Sequence, residues 1–134
     1  MQTLLKSASI IAVIGCSSKP YRTSYHIAEY LMNSGFTIIP VNPNEKEVFG
    51  IHCYSSIFDI PKGIKVDVFN IFRNKRYTLQ QVEEIVEWSS KTEQKPAIWT
   101  QLDVSTPEAK QLAEENGLGY IENRCMLVEH QRVG

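Results

Sequence analysis

Short runs of apolar residues alternate along this chain with longer stretches in which apolar side chains recur every three or four positions. The first run, Ile10-Ile11-Ala12-Val13-Ile14, is unbroken and halts at Gly15, which predicts a strand over residues 10–15 buried on both faces. In residues 24–34, Ile27, Ala28, Leu31 and Met32 share helical spacing, and Gly35 supplies a stop. Residues 37–41 read as a second strand. Residues 44–61 are irregular, with a short strand expected near His52-Cys53-Tyr54 and a helical turn near Ser56-Ile57-Phe58.

The alternation then resumes. Residues 66–72 predict a buried strand, and residues 78–90 a helix with Leu79, Val82, Ile85 and Val86 inward and Glu83, Glu84 and Glu87 outward. Thr78 is the expected N-cap of that helix. A strand over 97–101, a helix over 107–116 capped by Thr106 with Pro107 at its first position, a stop at Gly117 and a strand over 120–122 complete the pattern. Strand and helix in strict succession imply an α/β fold: a mainly parallel five-stranded sheet with helices on both faces and right-handed crossovers. No linker, repeat or low-complexity tract divides the chain, so residues 1–134 read as a single domain. In such sheets ligands lie beyond the carboxyl ends of the strands, which directs attention to residues 15–22, 42–44, 73–76, 100–104 and 123–126.

Composition narrows the function. With 134 residues, 43% of them hydrophobic, the chain is long enough to bury a real core. Its 14 basic and 15 acidic side chains leave a net charge of -1, so no global field draws it to nucleic acid or to an anionic membrane, and neither is expected as a partner. No apolar run reaches bilayer-spanning length. The three cysteines, Cys16, Cys53 and Cys125, are far apart and without C-x-x-C spacing, as reduced thiols of a cytoplasmic protein would be. Val13-Ile14-Gly15-Cys16 also has the form of a lipoprotein cleavage box, but cleavage there would delete the first strand. His26, His52 and His130 lack metal-ligand spacing, so no metal site is expected. There is no G-x-S-x-G elbow, and no acid and base pair stands out as catalytic.

The candidate chemistry centres on Gly15-Cys16-Ser17-Ser18-Lys19-Pro20, small residues between a buried strand and a helix. A helix that starts there presents unpaired N–H groups and a partial positive charge to an anion, as in a phosphate-binding turn. The dinucleotide fingerprint G-x-G-x-x-G is not met, since Ser17 and Pro20 stand at the later glycine positions. The second strand ends in Pro40-Val41-Asn42-Pro43-Asn44, with no acid for a ribose. Arg73-Asn74-Lys75-Arg76 concentrates positive charge on the same rim, joined by Lys19 and Arg22. Plainer roles stand beside these. Gly15 serves equally as a turn glycine, Ser17 and Ser24 as helix caps, and Pro40 and Pro43 as the end of an edge strand. Arg73, Lys75 and Arg76 also read as a solvated loop, and Phe72, Trp99 and Tyr120 as core.

Several stretches together resemble a known family. They are Val13-Ile14-Gly15-Cys16-Ser17, Ser24-Tyr25, Pro40-Val41-Asn42-Pro43, Val66-Asp67-Val68-Phe69 with Phe72-Arg73, Trp99-Thr100-Gln101-Leu102, and Asn123-Arg124-Cys125. In these the chain resembles, over nearly its whole length, the small stand-alone coenzyme A-binding proteins, whose fold is similar to the N-terminal domain of the succinyl-CoA synthetase alpha subunit. It departs from them in Cys16, in Asn70-Ile71 between Phe69 and Phe72, and in Asn123 where an Asp is common. The resemblance implies a three-layer Rossmann-like domain that binds coenzyme A or an acyl-CoA. It also implies roles for particular residues: Gly15, Cys16 and Ser17 at the pyrophosphate, Lys19 or Arg22 pairing with phosphate, Ser24 in the binding set at the opening of the helix, and Val41, Asn42 and Pro43 at the adenosine end. Phe72 would stack, Arg73, Lys75 and Arg76 would hold the 3'-phosphate, and Thr100 and Gln101 would line the pantetheine path. Cys125 would lie at another strand end on the same rim, placed to form a mixed disulfide with the coenzyme A thiol. The implied role is a non-catalytic carrier, sensor or regulatory module. The alternatives are an NAD(P)-binding oxidoreductase and a partner-dependent acyl-CoA ligase subunit.

Overall fold

The computed structural model describes residues 1–133. A short helix α1 (Gln2–Ser7) leads into β1 (Ile10–Ile14), α2 (Thr23–Asn33) and β2 (Thr37–Val41). A small antiparallel pair follows, β3 (Glu47–Val48) with β4 (Ile51–His52). The chain then runs through β5 (Val68–Ile71), α3 (Thr78–Thr92), β6 (Ala97–Thr100), α4 (Pro107–Glu115), β7 (Tyr120–Ile121) and α5 (Met126–Val133). The main sheet has five strands in the order β2-β1-β5-β6-β7, and every neighbouring pair is parallel. The three-layer Rossmann-like α/β architecture is therefore present. No helix among the described residues is long and apolar enough to cross a membrane.

Alternation along the strands builds both layers. Ala12 and Ile14 of β1, Ile39 and Val41 of β2, and Phe69 and Ile71 of β5 pack with Val82, Ile85 and Trp88 of α3 and Ala109 and Ala113 of α4. Ile11 and Val13, Ile38, Val68 and Trp99 face the other way, against Leu5 of α1, Ile27, Ala28 and Leu31 of α2, and Met126 of α5. β1 is sealed on both faces, with Ile11, Ala12 and Val13 fully buried, which explains its unbroken apolar run.

The predicted stops and caps hold at Gly35 and Gly117, both at positive φ, and at Thr106, whose hydroxyl accepts the Ala109 N–H at 3.2 Å. The irregular passage contains the Ile51–His52 strand, a bridge from Val41 to Tyr54 and a single 3-10 turn over Ile57–Asp59 whose cap is Ser56. Thr78 is not a cap. A 3-10 turn over Lys75–Tyr77 runs directly into α3, and the Thr78 hydroxyl instead donates to the Val104 carbonyl at 2.6 Å, tying two loops together. Leu79 points out rather than in, because the inner stripe of α3 runs through Thr78, Gln81, Val82, Ile85 and Trp88 and leaves Leu79 beside it. Helices α1 and α5 are absent from the sequence-based expectation. At 6 and 8 residues they are too short for a periodic signal.

At the end of the sheet opposite the strand carboxyl termini, Asp67 closes the entry to β1. Its Oδ2 accepts the N–H groups of Ser9 at 2.8 Å and Ile10 at 2.9 Å, and Lys65 Nζ lies 3.4 Å from Oδ1. Burial works to raise this carboxyl, but the two N–H bonds and Lys65 outweigh it and hold the group below its ordinary value of 3.8. A lowered carboxyl stabilises the fold fully above its unfolded pKa, and that contribution is lost as pH falls through the folded one. We expect Asp67→Ala to cost about 2 kcal/mol at pH 7 by urea unfolding. The gap to the wild type should close as pH is lowered below about 4.

Candidate functional site

From β1 the chain moves outward to β2 and then crosses back to β5 on the far side of β1, so the strand order reverses between β1 and β5. The two strand ends meet at Gly15 and Phe72. The Phe72 N–H donates to the Ile14 carbonyl at 2.8 Å, and the Gly15 N–H to the Val41 carbonyl at 2.7 Å. Gly15 has φ +85, and a Cβ placed on it would lie 2.2 Å from the Phe72 carbonyl oxygen. Glycine is required here by the backbone of the neighbouring strand.

The turn after Gly15 closes largely on itself. The Ser24 hydroxyl accepts the Ser17 N–H at 3.1 Å, and the Ser17 hydroxyl accepts the Lys19 N–H at 3.1 Å. The Gly15 and Ser17 N–H groups, expected to point at an anion, are taken up within the chain, that of Gly15 by the Val41 carbonyl and that of Ser17 by the Ser24 hydroxyl. An anion does occupy the turn, but it belongs to the chain. The Glu45 carboxylate accepts the Ser18 N–H, and the Ser18 side chain together with this bond holds the carboxyl below its ordinary range. Asn42 clasps the same loops, donating from Nδ2 to the Cys16 carbonyl at 3.0 Å and accepting the Asn44 N–H at 2.9 Å.

Two cavities flank the Gly15–Phe72 junction, and Gly15, Arg22, Phe72 and Arg73 line both. The smaller, about 300 Å³, lies between the β2 end and α3, with Val41, Asn42, Pro43 and Asn44 on one wall, Gln81 and Glu84 on another, and Ser55, Ser56 and Ile57 between. The larger, about 760 Å³, is bounded by Tyr21, Thr23 and Ser24 at the start of α2, by Asn74, and by Gln101, Leu102 and Val104 after β6. Arg73 reaches from the junction to α3, where its Nη1 donates to Gln81 Oε1 at 2.9 Å while its guanidinium lies 4.8 Å from the Tyr77 ring centroid. Burial raises the Glu84 carboxyl, with Arg73 opposing.

A family model described as a CoA binding domain matches residues 9–131. The chain belongs to the CoA-binding domain family. It is 32% identical over 130 residues to "Uncharacterized protein YneT" of Bacillus subtilis (strain 168), covering 97% of this chain and 91% of that protein. A shorter match, 36% over 58 residues, joins 43% of the chain to 8% of an ADP-forming acetate–CoA ligase from Methanocaldococcus jannaschii. Among solved structures, a hypothetical protein from Pyrococcus horikoshii OT3 superposes with TM-score 0.88 at 36% identity, covering 98% of this chain and 88% of that one.

Not every residue expected at the site of this CoA-binding domain reaches the cavities. Cys16, Ser17, Lys19, Lys75, Arg76, Thr100 and Cys125 line neither. Cys16 is fully buried among the α2-side core, and burial, with Cys53 and Glu45 nearby, pushes its thiol up to about 12, so it stays protonated. The Thr100 hydroxyl donates to the Ile121 carbonyl at 3.0 Å, which makes it a strand fastener. Cys125 packs half-buried against the core just before α5, next to Arg124, whose N–H donates to the Thr100 carbonyl at the end of β6. The expected cationic rim is divided: Lys75 pairs with Asp103 at 3.6 Å, Arg76 lies over the Tyr77 ring, Lys19 is exposed, and Arg22 and Arg73 face the cavities.

Sequence reasoning missed Gln81 and Glu84, although Gln81 is a polar residue on the apolar stripe of α3, and that was a signal. Tyr21 and Leu102 lie in the loops to which the strand-end rule directs attention, residues 15–22 and 100–104, although no pattern assigns either a role. Gly15→Ala adds both left-handed strain and a backbone collision. The expected loss is about 2 kcal/mol or more in thermal or urea unfolding, whether or not ligand is present.

Proposed function

We propose that this chain binds coenzyme A, free or acylated, in the cleft formed by the two joined cavities, and acts as a carrier, sensor or regulatory module rather than as a catalyst. The observation that carries the reading is the pair of cavities at the strand-order reversal, with Arg22 and Arg73 at their common wall, in a member of the CoA-binding domain family. A bipartite ligand with anionic groups at its middle suits such a cleft. The smaller cavity takes the adenosine end against Val41, Pro43 and Phe72, and Asn42 holds that wall in place. Arg22 and Arg73 are the cations for phosphate, including the 3'-phosphate, and the larger cavity receives the pantetheine arm beside Ser24 and Gln101.

The cavity walls support binding better than chemistry. Their ionisable side chains are Tyr21, Arg22, Arg73 and Glu84, with no imidazole or thiol among them. The archaeal acetate–CoA ligase supports a second reading, in which the chain serves a ligase as its CoA-binding part. Because the match covers 8% of that enzyme, ligation by this chain would require a partner that supplies the remaining machinery.

Titration calorimetry with coenzyme A, dephospho-coenzyme A, NAD and NADP at one fixed salt concentration tests the reading. Coenzyme A should bind tightest. Arg73→Gln should weaken it by about tenfold or more and narrow its advantage over dephospho-coenzyme A. Tighter binding of NAD or NADP would overturn the proposal in favour of a nicotinamide-dependent enzyme.

A further inference from the structure

The smaller cavity holds two guanidiniums and a single carboxylate. Arg22 and Arg73 reach it from the loops after β1 and β5, and Glu84 lines it from α3. Glu84 stands one turn beyond Gln81, the side chain that fixes Arg73 by accepting from its Nη1 at 2.9 Å. The carboxyl is half-buried, and burial holds it above its ordinary value of 4.5, with Arg73 opposing and Glu87 of the next turn adding to the rise. The other charged groups on the surrounding elements are engaged or face solvent. Asp59, in the 3-10 turn beside α3, accepts from the Ser55 hydroxyl at 2.9 Å, Lys75 pairs with Asp103, Arg76 lies over the Tyr77 ring, and Glu83 and Glu87 are exposed. The end of β2 brings no charged group to the cavity, and no imidazole lines it.

Two guanidiniums in a cavity of about 300 Å³ would by themselves attract any small dianion, since each offers charged N–H donors to its oxygens. A carboxylate on the α3 wall opposes this, and in a partly buried setting its field is weakened less than at an open surface. A ligand that keeps its phosphates at the arginine wall and sends a neutral group toward α3 escapes most of that repulsion. The geometry points to Glu84 as the residue that sets the selectivity of this cavity: its carboxylate keeps free phosphate and other small dianions off Arg22 and Arg73, and admits a neutral or hydrogen-donating group in their place. This goes beyond the coenzyme A reading, because rejection of small anions is a property of the unliganded protein. It also makes the cavity sensitive to pH. Protonation of Glu84 removes the opposing charge, so affinity for a small dianion should rise as pH falls through the range in which this raised carboxyl titrates.

Sulfate is the probe, because it stays a dianion and the arginines stay charged between about pH 4.5 and 7.5. In an NMR titration with sodium sulfate at constant ionic strength, Glu84→Gln should bind sulfate about tenfold more tightly than the wild type at about pH 7.5. Glu87→Gln removes the same charge one turn along α3, outside the cavity, and should change sulfate affinity by less than about twofold. The gap between Glu84→Gln and the wild type should close as pH is lowered to about 4.5, where the wild-type carboxyl becomes protonated. Equal sulfate affinity in Glu84→Gln and the wild type, an equal gain in Glu87→Gln, or a gap that does not narrow with pH would overturn the proposal. None of these measurements uses coenzyme A, so their failure leaves the coenzyme A reading standing, and a chain that does not bind coenzyme A leaves this test decisive.

Discussion

The contact between the Gly15 backbone and the Phe72 carbonyl is the constraint on which the functional end of the molecule depends. Through Gly15 to Val41 and Phe72 to Ile14, the ends of β2, β1 and β5 are pinned to one another by backbone hydrogen bonds. No side chain fits between Gly15 and Phe72, so the loops leave from a closed knot rather than a gap. One cavity opens on each side of it. Glycine here is a packing requirement first, and only by position a feature of a binding turn.

How much of this was legible follows from what kind of force set each part. The strands and the long helices are written in burial, and burial leaves a period: Ile11 to Val13 are sealed on both faces and read as a solid run, while Val82 and Ile85 repeat with the turn of α3. Thr106 and Gly117 act within a residue or two of themselves, so local rules sufficed. Thr78 looks like the same case and is not, because its partner, Val104, lies in a distant loop. The site was legible as a set of loops, not as a set of side chains. Which of Arg73, Lys75 and Arg76 faces inward is decided by a 3-10 turn, by Asp103 and by Gln81, none of which a charge run reveals. Gln81 and Glu84 come from a helix, outside the loops where the rule for parallel sheets directs attention.

The turn after β1 shows that a small-residue loop before a helix is not automatically an open cradle. Ser17 and Ser24 complete each other's loop, and Glu45, from the segment after β2, holds the Ser18 N–H with a negative charge of the chain's own. Together with the Asn42 clasp on the Cys16 carbonyl, this joins the two loops into one wall. The cations that remain directed at the cleft, Arg22 and Arg73, sit where the two cavities meet rather than along the turn.

That shared wall has an energetic consequence. Because Gly15, Arg22, Phe72 and Arg73 border both cavities, one molecule that fills both touches all four from two sides, and its halves are not independent fragments. Ordering Arg73 for one half leaves less entropy to lose when the other half settles, so the whole should bind more tightly than the product of its parts. Mutations on either side of the wall would then be non-additive, and their interaction energy would measure how far the protein treats its ligand as one object.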